Sequence, residues 1–116
     1  MSKQAQKYHL SLAGEFYVAA ELQRRGISAA VTYGNAKKAD VVAFSMSGEK
    51  AVVVEVKSTS QAKWVVGGMV PVASAKPWVF VHMPIDPAKP ASFYILLQSE
   101  LHDILAPGEA EYCRKF

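Results

Sequence analysis

The sequence contains little cysteine and no long apolar run, and both shortages exclude classes of protein. Its one cysteine, Cys113, has no partner for an internal disulfide, which argues against a disulfide-stapled fold and agrees with a reducing compartment. The longest uncharged stretch, residues 64–75, contains two glycines and a proline and is too short and too interrupted to span a bilayer. Residues 1–7 are followed by a mixed helical pattern rather than by the apolar core of a signal peptide. We therefore expect a cytoplasmic protein.

Motifs that bind nucleotides or activate a serine are also missing. The chain has no G-x-x-x-x-G-K-[ST], no G-x-G-x-x-G and no G-x-S-x-G. His9, His82 and His102 lack the spacing of a metal triad or of an acid–base pair. The sequence therefore predicts neither a P-loop enzyme nor a serine hydrolase.

Size and charge fit a single globular domain. The chain has 116 residues, of which 51% are hydrophobic and 20% charged, so it can bury one core and is not expected to be disordered. We predict one domain, residues 1–116. The net charge of +3 is compatible with an anionic partner but does not identify one.

Apolar periodicity and turn residues predict an α/β protein. A helix is expected over 4–25, because apolar residues recur at helical spacing until Gly26 ends the pattern. Met46–Glu49 (MSGE) reads as a tight hairpin between two apolar runs. A second helix over 100–105 is expected after a Ser99 cap. The predicted strands are 27–33, 40–45, 50–57, 78–83 and 93–97.

The hairpin brings two acids together. With the turn centred on Ser47 and Gly48, the ladder places Asp40 opposite Glu55. Cross-strand neighbours lie about 5 Å apart, so two ionised carboxylates would repel by roughly 3 kcal/mol at an effective dielectric near 20. Such a pair requires a cation, which could be Lys57, two residues beyond Glu55 on the same face, or a bound Mg²⁺ or Mn²⁺.

The first helix carries a third acid in an unusual position. On a wheel of 100° per residue, Glu15 lies within the apolar stripe, whereas Glu21 lies on the polar face and can pair with Arg25. A carboxylate aimed at the core costs free energy unless a charged group receives it. We therefore expect Glu15 to converge on the same place as the two strand acids. The stripe consists of Tyr8, Leu12, Val18, Ala19 and Leu22.

The stretches GEFYVAAELQRRG, KADVVAF and VVVEVKSTS resemble the PD-(D/E)xK nuclease superfamily, which includes archaeal Holliday-junction resolvases and many type II restriction endonucleases. The resemblance covers residues 14–61. The family's aspartate begins the second strand, its Glu-x-Lys stands on the third, and a glutamate comes from the first helix. These positions correspond to Asp40, to Glu55 with Lys57, and to Glu15.

The resemblance implies a restriction endonuclease-like fold, in which a central mixed sheet is flanked by helices. It also implies Mg²⁺-dependent cleavage of nucleic acid, DNA being favoured over RNA, and a homodimer. Asp40, Glu55, Glu15 and the backbone carbonyl of Val56 would hold the metal, and Lys57 would orient the attacking water or stabilise the transition state. Residues expected to contact phosphates are Lys37, Lys38, Ser58, Gln61 and Lys63.

The chain departs from the family pattern at two places. Ala39 stands where the family has a proline, and no helix is evident in 62–76 after the Glu-x-Lys strand. Two other interpretations therefore stay open. One is a catalytically inactive nuclease-fold module that binds nucleic acid or a partner protein. The other is a structural domain whose acids merely pair with lysines.

Overall fold

The computed structural model describes residues 2–33, 39–61 and 74–105. None of the helices in these ranges is both long enough and apolar enough to cross a membrane. In chain order, the elements of these ranges are α1 (Lys3–Arg24), β1 (Ser28–Tyr33), β2 (Ala39–Phe44), β3 (Ala51–Thr59), β4 (Pro77–His82), β5 (Ser92–Leu97) and α2 (Gln98–Leu105).

The strands form one mixed five-stranded sheet in chain order, β1-β2-β3-β4-β5. β1, β2 and β3 pair antiparallel, β4 runs parallel to β3, and β5 pairs antiparallel with β4. A parallel pair needs a long crossover, and residues 60–76 provide it. The predicted α/β class and order of elements are confirmed.

Local sequence signals set where the first helix stops. Gly26 has a positive φ of 82°, and its N–H donates to Gln23 O at 3.0 Å. The Ile27 N–H donates to Leu22 O at 2.9 Å. These two bonds form a Schellman motif, which glycine favours because it adopts this conformation without a Cβ clash. The predicted stop at Gly26 is confirmed.

The hairpin between β2 and β3 has the expected register with a wider loop. The Ser45 N–H donates to Lys50 O at 2.9 Å, and Met46–Glu49 form the loop beyond this pair. Met46 is fully exposed and does not continue the ladder. The register depends on the Ser45 and Lys50 pair, so it follows the prediction although the turn is less tight.

The start of α2 differs from the prediction. The helix begins at Gln98, so Ser99 lies inside its first turn and is not the cap. The Glu100 carboxylate accepts a hydrogen bond from the Leu97 N–H at 2.9 Å. An acid that reaches back to the start of a helix satisfies a donor left without an intrahelical partner.

The two faces of the sheet bury different clusters. On one face α1 contributes Val18 and Ala19. They pack against buried residues of β2, β3 and β4 and against the residue that follows β4. On the other face Trp78 and Phe80 of β4 pack against Leu101 of α2. A helix therefore covers each face of the mixed sheet. The strand residues of the first cluster are Val41, Val54, Val79 and Val81, with Met83 following β4.

α1 approaches β3 most closely at Gly14. A Cβ at this position would overlap Ser58 Oγ and lie 3.1 Å from Ser58 Cβ. The Ser58 hydroxyl is buried there and has no hydrogen-bond partner in the part of the chain that the structure describes. The absence of a side chain at position 14 therefore sets the distance between the helix and the sheet.

Gly14→Ala is expected to destabilise the protein in spite of alanine's better helix propensity. Propensity favours alanine by about 1 kcal/mol, whereas forcing an extra methyl into packed surroundings costs about 1–3 kcal/mol. Urea unfolding of both proteins measures the net change. In a Ser58→Ala background the cost should fall, because the overlapping oxygen is gone. An equal effect of Gly14→Ala in both backgrounds would show that Ser58 does not limit the approach.

Candidate functional site

The β2–β3 ladder follows the predicted register up to the proposed site. Val41 pairs with Val54 and Phe44 pairs with Ala51. The ladder ends at the Val41 and Val54 pair, and the next step of the same register joins Asp40 to Glu55. From Glu55 onward β3 pairs with β4 instead. The two predicted strand acids thus occupy the point where β3 changes its pairing partner, although the Asp40 side chain lies outside the described part.

Two lysines contact the Glu55 carboxylate. Lys57 Nζ lies 3.5 Å from Glu55 Oε1, and Lys76 Nζ lies 3.1 Å from Glu55 Oε2. The three side chains are between 31% and 37% exposed, so solvent screens the pairs only in part. The predicted pairing of Glu55 with Lys57 is therefore present, and Lys76 is a second partner.

Lys57 also lies over an aromatic ring. Its Nζ is 5.8 Å from the centre of the Trp78 ring, within the range of a cation–π interaction. Trp78 is buried and stacks on Phe80 with ring centres 6.1 Å apart. The ammonium group is thus held between a carboxylate and a fixed ring, which limits its positions.

Gln98, the first residue of α2, forms hydrogen bonds with the Trp78 ring and with the backbone of Lys76. Its Oε1 accepts a hydrogen bond from Trp78 Nε1 at 3.0 Å. Its backbone N–H donates to Lys76 O at 2.7 Å. A further bond from the Ser99 N–H to Ser74 O, at 2.8 Å, ties the same segment to the helix. The start of α2 therefore positions both cations around Glu55.

Lys76 changes the charge balance expected from the sequence. The sequence predicted three acids, Asp40, Glu55 and Glu15, around the single cation Lys57, and assigned the excess negative charge to a metal ion. Lys76 reduces that predicted excess from two charges to one. The argument from charge for a metal at this position is therefore weaker than the sequence alone indicated.

Glu15 approaches from the other face of the sheet. Gly14, Val18 and Ala19 are the buried residues of α1, and Glu15 lies half-buried on the same side of the helix. The predicted place of Glu15 within the apolar stripe is therefore confirmed, whereas Tyr8, predicted in the same stripe, is 51% exposed. Glu55 and Lys57 project toward the face of Trp78 and α2. Glu15 and the Glu55–Lys57 pair thus start from opposite faces of the sheet, and their convergence stays a prediction.

The predicted phosphate contacts divide into two groups. Ser58 and Gln61 line a groove between β3 and the N-terminal half of α1. Lys37, Lys38 and Lys63 lie outside the described residues.

Val56 packs its side chain against the α1 cluster, and its predicted role as a metal ligand involves only its backbone carbonyl. In the described ranges no three acids, histidines or cysteines are grouped as metal ligands.

The comparisons with known proteins do not assign the chain to a group. No family model, no curated protein and no solved structure matches it.

Sequence reasoning missed three members of the site. Lys76 lies 21 residues after Glu55, beyond a stretch without clear periodicity, so no local spacing connects the two. Trp78 reads as an ordinary core residue of an apolar strand, and Gln98 as a polar residue between a strand and a helix. The parallel register between β3 and β4, which places Trp78 beside Glu55, is the signal that joins them.

Gln98→Leu is expected to cost about 1 kcal/mol of stability, because the partly buried Trp78 Nε1 donor would lose its acceptor. Urea unfolding measures this change. Gln4→Leu, at an exposed position of α1, should change stability by no more than about 0.5 kcal/mol.

A double-mutant cycle with Trp78→Phe isolates the hydrogen bond. Gln98→Leu should cost less when position 78 carries phenylalanine, since no indole donor is then left unpaired. Equal costs in both backgrounds would show that the bond contributes nothing measurable.

Proposed function

We propose that this protein is a metal-dependent nuclease that hydrolyses DNA phosphodiester bonds. The observation that carries the proposal is the placement of Glu55 and Lys57 side by side on β3, where the register leads to Asp40. The mixed sheet with a helix on each face supports the same proposal, because the resemblance implies such an architecture. Cytoplasmic location, the preference for DNA and a homodimer belong to the proposal as well.

The donor set suits a hard divalent cation. Mg²⁺ and Mn²⁺ prefer carboxylate and carbonyl oxygens together with water. Glu55 is partly exposed, and Asp40 stands at the next step of the ladder. Glu15 and the Val56 carbonyl complete the proposed set. The Lys76 ammonium contacts Glu55 Oε2, so it would have to withdraw from this oxygen for a cation to use it.

Each residue has a defined role in the proposed reaction. When bound, the metal would supply an activated water and stabilise charge on the phosphodiester. Lys57 would orient that water or stabilise the charge on the reacting phosphate. Trp78 and Gln98 would keep the Lys57 ammonium in place, as positioning residues. Lys76, released from Glu55, would supply a second positive charge near the substrate.

Purified protein with Mg²⁺ or Mn²⁺ should cut at least one of linear, branched or single-stranded DNA. Glu55→Gln and Lys57→Met should each lower the rate by about 100-fold or more, as removal of one electrostatic group from an active site does. Gel analysis of end-labelled substrates, with RNA counterparts in parallel, measures this.

Glu49→Gln is the matched control, because Glu49 is exposed in the hairpin loop away from the cluster. It should leave the rate unchanged. Absence of cleavage with every substrate and both metals would refute the nuclease proposal.

A second candidate is a nuclease-like module that binds nucleic acid or a partner protein without cutting. The contact between Lys76 and Glu55 favours it, because the Glu55 carboxylate already has two lysine partners without a metal. In this case the two lysines would be fixed counter-ions rather than parts of a reaction.

Lys76→Met separates the two candidates. If Glu55 belongs to a metal site, loss of the competing Lys76 ammonium should tighten Mn²⁺ binding. The Kd should fall by about tenfold if displacing this ammonium from Glu55 costs about 1.4 kcal/mol in the unaltered protein. Isothermal titration of Mn²⁺ measures this, and Lys89→Met, at an exposed lysine of the β4–β5 connection, should bind as the unaltered protein does. Absence of heat in all three proteins at millimolar Mn²⁺ would favour the binding module.

A further inference from the structure

An open groove of about 500 Å³ separates the N-terminal half of α1 from the end of β3. It is on the α1 side of the sheet. It is distinct from the Glu55 cluster, by which we mean Glu55, Lys57, Lys76 and Trp78. Eight of its nine lining residues carry a polar or charged side chain, although their apolar atoms form more of the lining surface than their polar atoms do. The lining residues are Lys3, Gln6, Lys7, Leu10 and Ser11 from the helix, and Ser58, Thr59, Ser60 and Gln61 from the strand and the residues after it.

The groove has the charge of an anion site. Lys3 and Lys7 are four residues apart, so both ammonium groups lie along one side of α1. Both are exposed, and within the described residues neither is paired with a carboxylate. Among the residues that the structure describes, none with an acidic side chain lines the groove or lies in the first turn of α1. The positive end of the helix dipole adds to this field.

Hydrogen-bond donors form the opposite wall. Ser58 lines the inner end of this wall, where its hydroxyl is buried against Gly14 and is not accessible to a ligand in the groove. The Gln61 N–H donates to Thr59 Oγ1 at 3.0 Å, which ties down the turn after β3. Ser60 and the Gln61 side chain follow on the same wall. Hydroxyl and amide groups of this kind commonly donate to phosphate oxygens in protein–nucleic acid contacts.

We propose that this groove binds the sugar–phosphate backbone of a nucleic-acid strand, with Lys3 and Lys7 neutralising phosphates. The choice of polymer rests on the proposed function. Ser58 lies three positions after Glu55 on β3, about 10 Å along the strand, and its side chain points to the opposite face of the sheet. A strand seated in the groove would therefore be anchored on the face opposite Glu55, where it would tether the substrate rather than hold the bond to be cut.

The test measures binding without cleavage. A Glu55→Gln protein in EDTA is titrated into fluorescein-labelled duplex and single-stranded DNA, and anisotropy is recorded at several salt concentrations. Adding Lys3→Gln and Lys7→Gln should weaken binding by about tenfold and lower the salt slope by about 2, one for each lost phosphate contact. Glutamine is a good helix former, so α1 should stay folded, and circular dichroism checks this.

The matched control adds Lys50→Gln and Lys89→Gln to the same background, which removes two exposed positive charges elsewhere. This control should bind nearly as the background protein does. Equal weakening in the two double variants would overturn the groove assignment, because only net charge would then matter. An equal loss of polyaspartate binding in the Lys3 and Lys7 variant would also overturn it, since the groove would then take any polyanion.

The outcomes separate this inference from the proposed function. Groove-dependent binding by a protein that cuts no substrate with either metal would support the groove and refute the nuclease. Cleavage that is unaffected by the Lys3 and Lys7 substitutions, together with unchanged binding, would support the nuclease and refute the groove.

Discussion

The alternation of side chains along β3 is the constraint on which the rest of the structure depends. Val54, Val56 and Ser58 face α1, whereas Glu55 and Lys57 face Trp78 and α2. A strand at the centre of a sheet must satisfy both faces, and a slip of one residue would exchange the two sets. Such a slip would direct the charges at α1 and the valines at the tryptophan. The packing of α1 against the valines therefore also fixes the side on which the charged cluster forms.

The Glu55 cluster combines elements distant in the chain through interactions that are individually weak. A partly exposed ion pair contributes about 0–1 kcal/mol, and a cation–π contact at such a site contributes a similar amount. The bond between Trp78 and Gln98 is different, because it is partly buried and loss of its acceptor would leave the indole donor of a buried side chain without that partner. The cluster is therefore held by its aromatic and amide support more than by its charges. This arrangement leaves the charges themselves able to exchange partners.

Local rules allow much of the fold to be predicted from the sequence. Turn residues in Met46–Glu49 determine the hairpin register, and Gly26 ends α1, because both effects involve residues close together in the chain. The predicted stripe of α1 did not include Gly14, which is buried because tight packing against Ser58 favours the smallest residue there. Periodicity of apolar residues cannot detect a contact that a glycine makes.

The remaining part of the site depends on a parallel pairing that no local pattern encodes. β4 could pair with β3 in several registers that all bury an apolar strand, and tertiary packing selects the one in which Trp78 lies beside Glu55. Lys76 belongs to the site for the same reason. Since it follows a segment without a clear pattern, only its position before β4 brings it to the carboxylate.

The parallel β3–β4 pair also has a consequence for the order of folding. The β2–β3 hairpin closes a loop of a few residues, whereas β4 can pair with β3 only after the two ends of the connection 60–76 have been brought together. The entropic cost of closing a loop grows with its length. Non-local pairings of this kind form slowly compared with hairpins. We therefore expect Glu55 to be in place on the hairpin before Lys76 and Trp78 arrive. Its carboxylate would face solvent until β4 joins the sheet, so the charged cluster would assemble only as the fold is completed.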